Sequence, residues 1–150
     1  RPANADPRTT FTNERKFVMD HGLHVLRTHP NKPSQAVEAC AQACLDCFLA
    51  CTACADACLS EPGASSLTDC IRLNLNCAAV CAATVPGLAS SGSFSGRAPL
   101  KAQLAACAAA CASCASECQK HAGHHRHCAH CAEACKLCIA ACEATIKVLQ

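Results

Sequence analysis

The chain has no tryptophan, no tyrosine, one methionine and only four phenylalanines in 150 residues. Its core therefore cannot rest on large aromatic rings. Charge is sparse too, with a net value of +2 when histidine is neutral. That balance gives neither the basic stripe of a nucleic-acid binder nor a membrane-surface patch. The opening RPANADPRTT has no apolar stretch of the kind a secretion signal needs, and no run is expected to approach the length of a membrane span. Strand-like alternation is absent as well. These gaps point to a cytoplasmic protein with no nucleic-acid and no membrane partner.

What the chain does have is cysteine, eighteen of them, alongside abundant alanine. In a small secreted protein such a count signals a disulfide scaffold; in a reducing compartment it signals metal. The length suffices for one domain with a real core.

Pro30, Pro33, Pro62 with Gly63, Pro86 with Gly87, and Gly123 punctuate the sequence into five helical segments. The first covers residues 9–28 and carries no cysteine. The second, 34–60, has Ser34 as its N-cap and Glu38 in its first turn. The third and fourth cover 66–85 and 99–121, separated by a Gly- and Ser-rich loop, with Pro99 in the first turn of the fourth. The fifth covers 124–150. Segments two to five are each roughly 30–40 Å long at 1.5 Å per residue. Short connections predict an all-α, antiparallel up-down four-helix bundle over 34–150, with residues 1–33 as an arm and an additional N-terminal helix outside it.

The second segment contains CAQACLDCFLACTACADAC, where Cys40, Cys44, Cys47, Cys51, Cys54 and Cys58 follow the alternating four- and three-residue steps of a heptad seam. Cys70, Cys77 and Cys81 keep that register in the third, with Asn74 in the slot between the first two. Cys107, Cys111, Cys114 and Cys118 keep it in the fourth, and Cys128, Cys131, Cys135, Cys138 and Cys142 in the fifth. All eighteen thiols thus belong on the inward faces of four helices. Small flanks such as Ala41, Ala55 and Ala132 let those faces approach closely. Leu45, Phe48 and Leu49 lie on another face, to be covered by the first helix or by a partner subunit.

Cysteine as a plain buried hydrophobe is disfavoured, because leucine would pack such a seam better. Disulfides along one helix are disfavoured because i,i+4 Cβ atoms lie about 5–6 Å apart, beyond disulfide reach. Iron–sulfur ligation, as in an electron carrier, needs ligands wrapped around a cluster, which a straight helix does not supply. Thiolate metal binding is left, with copper(I) and zinc as the soft candidates. Buried charge decides between them. One copper(I) per thiolate leaves the core neutral, whereas zinc held by four sulfurs leaves surplus negative charge in an apolar interior. Copper(I) also accepts two nearly linear sulfurs, which an i,i+4 pair can present. A thiolate zinc buffer is the next alternative.

Past the last cysteines the inward slots differ at the two ends. Val37, Thr84, Leu100, Leu104, Thr145 and Leu149 form an apolar plug at one end. At the other, the register runs from Cys118 to His121 and back from Cys131 to His124, and His125 and His127 flank the same mouth. Histidines in a loop are often no more than solvated surface. Here their position beside the thiols suits handing copper inward, with His121 and His124 ranked first on register. Asn74 reads either as a neutral spacer or as a weak oxygen ligand. Met19, His21 and His24 of the first helix are assigned to packing, with copper contact as the other reading.

The cysteine repeats together with HAGHHRHCAHCAEAC resemble the cytosolic bacterial copper storage proteins, over about residues 34–148. The resemblance implies a four-helix bundle filled with many Cu(I) ions, assembled as a homotetramer and loading through a histidine-lined mouth. It implies storage or detoxification of copper rather than catalysis. The matching positions are the eighteen cysteines with His121, His125 and His127.

Overall fold

The computed structural model describes residues 20–92 and 96–149. Five α-helices follow in order: α1 Asp20–Thr28, α2 Gln35–Ser60, α3 Thr68–Ala89, α4 Arg97–His121 and α5 Arg126–Val148. A 3-10 turn, Ala64–Leu67, leads into α3, and no strand occurs among the described residues. The expected first-helix residues before Asp20, including Phe17, Val18 and Met19, lie outside the described residues.

Ser34 caps α2 as its composition demands, its hydroxyl accepting from the Val37 N–H at 3.4 Å. α4 begins two residues before Pro99, which leaves the proline inside the first turn, where a missing N–H breaks no intrahelical bond. Two ends differ from the sequence expectation. α3 does not stop at Val85 but continues through Pro86 to Ala89. The extra turn buries Leu88 completely, in the cluster that also holds Leu100 and Leu104, and that packing offsets the hydrogen bond the proline removes. Gly87 belongs to the same contact: a Cβ there would meet Leu100 Cδ1 at 3.1 Å, so the turn approaches α4 more closely than a larger residue allows. α5 starts at Arg126 with His125 as its N-cap, two residues later than expected, and the 121–125 turn is closed by His124 and His125 N–H groups donating to the His121 carbonyl.

Each of α2, α3, α4 and α5 packs on two neighbours in the cyclic order α2–α3–α4–α5. Contacting cysteines run in opposite order on every adjacent pair, so all four neighbours are antiparallel. α1 lies outside, against the first half of α2, held by an ion pair from Arg27 Nε to Glu38 Oε2 at 2.8 Å. Together they border an apolar hollow of about 560 Å³ that includes Leu26, Leu45 and Val85. Phe48 and Leu49 stay exposed on α2, beyond the residues that line this hollow.

One sequence expectation needs correction. α2 and the stretch Ala64–Ala89 are long and apolar enough, by length and composition, to cross a membrane. They pass that test because cysteine and alanine count as apolar, and in the bundle their cysteines face one another.

Candidate metal centre

Every one of the eighteen cysteines is a free, buried thiol. The antiparallel α2–α5 pair places them in a ladder: Cys40 with Cys142 at 3.8 Å, Cys44 with Cys138 at 3.8 Å, Cys47 with Cys135 at 3.7 Å and Cys54 with Cys128 at 3.9 Å. The α3–α4 pair builds the opposite wall, with Cys81 and Cys107 at 3.7 Å, Cys77 and Cys111 at 3.6 Å, and Cys70 and Cys118 at 3.6 Å. Diagonal contacts join the walls, such as Cys47 to Cys111 at 3.8 Å. Ala41, Ala55, Ala78, Ala115 and Ala132, all buried, permit this close approach. The i,i+4 pair Cys47–Cys51 also meets, at 3.8 Å, but most short contacts cross between helices.

These walls group thiols into sets whose sulfurs all lie within 4.8 Å of one another: Cys44, Cys107, Cys138 and Cys142; Cys47, Cys77, Cys81 and Cys111; and Cys51, Cys114, Cys131 and Cys135. A zinc–sulfur bond is about 2.3 Å, and two sulfurs on a metal at that distance lie about 4 Å apart in trigonal or tetrahedral arrangement. The apo spacing is therefore already close to a ligated one.

Asn74 sits fully buried among the thiols. Its Nδ2 donates to the Cys70 carbonyl at 2.9 Å and to the sulfurs of Cys70, Cys118 and Cys54 at 3.4, 3.5 and 3.6 Å. Its Oδ1 accepts from Cys131 at 2.9 Å and Cys114 at 3.3 Å. Both ends of the amide are thus satisfied. The two buried hydroxyls of the plug are satisfied likewise, Thr84 donating to the Val80 carbonyl and Thr145 to the Ala141 carbonyl. Val37, Leu100 and Leu104 close that end, with Leu149 half-buried at its rim.

At the opposite end the four expected histidines separate. His127, in the first turn of α5, turns Nδ1 toward Cys54 and Cys128, 3.5 Å from each, and toward Cys58 at 4.0 Å. These four residues form a further candidate ligand set. His125 is held by Glu61 and stands 5.3 Å from His127, ring centre to ring centre. His121 reaches Glu117 at 3.2 Å on its own helix. His124, ranked high on helical register, lies in the turn before α5 and is exposed; the register does not extend to it because the helix starts two residues later. On the outside of the bundle, His21 is exposed and lines the hollow beside α1.

Glu61 was missed by sequence reading. It is the C-cap of α2, and its Oε1 accepts from both His125 Nδ1 at 3.0 Å and His127 Nε2 at 3.1 Å. The hydrogen bond from His127, then that from His125, holds its carboxyl below the ordinary carboxylate range. Its signal, a carboxylate three residues past the last cysteine of α2, becomes meaningful only once α5 is placed beside it. Just inside the mouth, burial pushes the Cys128 thiol up to about 12, and burial raises Cys70 as well, so both are protonated at neutral pH.

Fold and site together define a thiol-filled helical bundle built to hold soft metal ions in number. Residues 33–147 match the family described as copper storage protein, and the chain belongs to that family, whose members are storage proteins and not enzymes. It is similar to the copper storage protein of Streptomyces lividans in a structure loaded with 10 copper equivalents, at 45% identity and a TM-score of 0.78; 84% of this chain and 98% of that one are covered. It is also similar to the Cu(I)-bound copper storage protein of Bacillus subtilis, at 40% identity and a TM-score of 0.64, covering 73% of this chain and 97% of that one. A curated relative, the uncharacterized cysteine-rich protein YhjQ of Bacillus subtilis (strain 168), is 40% identical over 110 residues, 73% of this chain and 95% of its own.

Proposed function

We propose that the chain stores copper(I) as cargo on its eighteen core thiolates, at about one ion per thiolate. The observation that carries this is the continuous column of free, buried thiols, plugged by aliphatic side chains at one end and met by His127 at the other. Each copper(I) displaces a thiol proton, and bridging thiolates keep the interior near neutral. Because every sulfur already stands on a packed helix, loading requires little refolding.

Copper enters at the histidine end in this reading. His127 is the inner ligand, His125 its neighbour, and His121 and His124 the outer histidines of the same mouth. Residues 34–150 are the storage unit and 1–33 an arm carrying the short helix. A cytoplasmic setting is supported by a similar Streptomyces lividans protein described as a cytosolic copper storage protein. A homotetramer follows from the family resemblance alone, and Phe48 and Leu49, left exposed on α2, are apolar side chains that a partner copy would cover.

Anaerobic titration of the reduced protein with Cu(I), counting ions per chain, tests the reading. A plateau near one ion per cysteine supports it. Saturation at one or two ions defeats it, and preferential retention of zinc at about one ion per four thiolates favours a zinc buffer.

A further inference from the structure

Outside the thiol column, three side chains converge on a single point of the mouth. Both His125 Nδ1 and His127 Nε2 address the same oxygen of Glu61, at 3.0 and 3.1 Å. Two imidazole nitrogens and a carboxylate are the donor set of a borderline divalent cation, not of copper(I). The spacing suits it. Ligand atoms about 2.1 Å from a metal lie about 3.0 Å apart at a right angle and about 3.4 Å apart at the tetrahedral angle. Helix ends hold the three residues in place: Glu61 N–H donates to the Cys58 carbonyl at 3.3 Å, and His125 N–H to the His121 carbonyl at 2.9 Å. All three side chains are partly exposed, so water can complete the coordination.

We infer that Glu61, His125 and His127 form a divalent-cation site of the zinc class, and that its occupation closes the mouth to copper(I). The closing follows from the ring shared by the two sites. A neutral imidazole offers one lone pair and carries one N–H. With Nε2–H donating to Glu61, the Nδ1 lone pair points at Cys54 and Cys128 and is free for copper(I). A divalent ion on Nε2 moves that proton to Nδ1, which then donates to the thiols and has nothing to offer copper. The two metals therefore weaken each other's binding, and the coupling is reciprocal. The site stands on its own geometry; the coupling rests on the storage reading.

The test uses the reduced, metal-free full chain under anaerobic conditions with one equivalent of Co²⁺ as the probe. The expected spectrum has the d–d bands of a nitrogen- and oxygen-ligated cobalt without thiolate-to-cobalt charge transfer, and Zn²⁺ abolishes it. Glu61→Gln and His125→Ala should each weaken Co²⁺ binding by about tenfold or more, with circular dichroism confirming that both remain folded. Bound Co²⁺ should slow Cu(I) uptake by about tenfold in the wild type and leave the rate in His125→Ala unaffected. Charge-transfer bands at the first equivalent, or unchanged affinity in both variants, overturn the site. An unchanged uptake rate overturns the coupling. The Cu(I) plateau reached without cobalt reports separately on storage.

Discussion

Glu61 holds His127 by its outer nitrogen, Oε1 to Nε2 at 3.1 Å, while the inner nitrogen of the same ring lies 3.5 Å from Cys54 Sγ. A carboxylate outside an imidazole fixes the tautomer whose lone pair points inward and raises its basicity. The first pair of thiols behind it, Cys54 and Cys128, is thereby offered a third ligand.

Glu61→Ala should slow Cu(I) uptake by about tenfold, since the ring loses both its orientation and its preferred tautomer. Glu61→Gln, whose amide oxygen still accepts from Nε2, should recover most of the rate. Stopped-flow uptake from a Cu(I)–chelator donor distinguishes the three proteins. Equal rates for all three would mean that the clasp only ties α2 to α5.

Asn74→Ala should destabilise the reduced apo protein by about 2 kcal/mol. The substitution opens a cavity and leaves the Cys131 and Cys114 thiols without their acceptor. Urea denaturation measures the loss as a lower midpoint. A midpoint equal to wild type would show that the thiols rearrange to satisfy one another.

Leu104→Ala, in the plug, should cost about 3 kcal/mol in the same experiment and leave the number of copper ions per chain unchanged. A reduced copper count would mean that the aliphatic end takes part in holding the cargo.

The buried thiols near the mouth set a pH dependence. Cys128 titrates near 12 in the folded chain against 9.0 ordinarily, and Cys70 is shifted in the same direction. A raised folded value means that the stabilising contribution is present below pH 9 and is lost as pH rises toward 12. Apo stability should therefore fall across that window, with a shallower slope in Cys128→Ser. Denaturation midpoints between pH 8 and 11 check the sign; a rise with pH would refute it.

Much of the fold is legible in the cysteines themselves. Heptad spacing states which side of each helix must be buried, and Ser34 and Pro99 mark helix starts within two residues of those observed. The misread ends have local causes. Leu88 outweighs Pro86 because a fully buried leucine repays the missing hydrogen bond. His124 falls outside α5 because His125 takes the capping position, and a register cannot be carried past a cap.

The sequence by itself determined that eighteen sulfurs face inward and that one end of the column is aliphatic, because both follow from the angle of each side chain about its own helix axis. Tertiary structure decided which sulfurs meet, such as Cys40 with Cys142 across 102 residues of chain. It also decided that His127, not His124, reaches the thiols and that Glu61 stands behind it. Those are relations between helix ends on different segments. They depend on where each helix stops and how far it slides along its neighbour, which no periodicity within a single helix records.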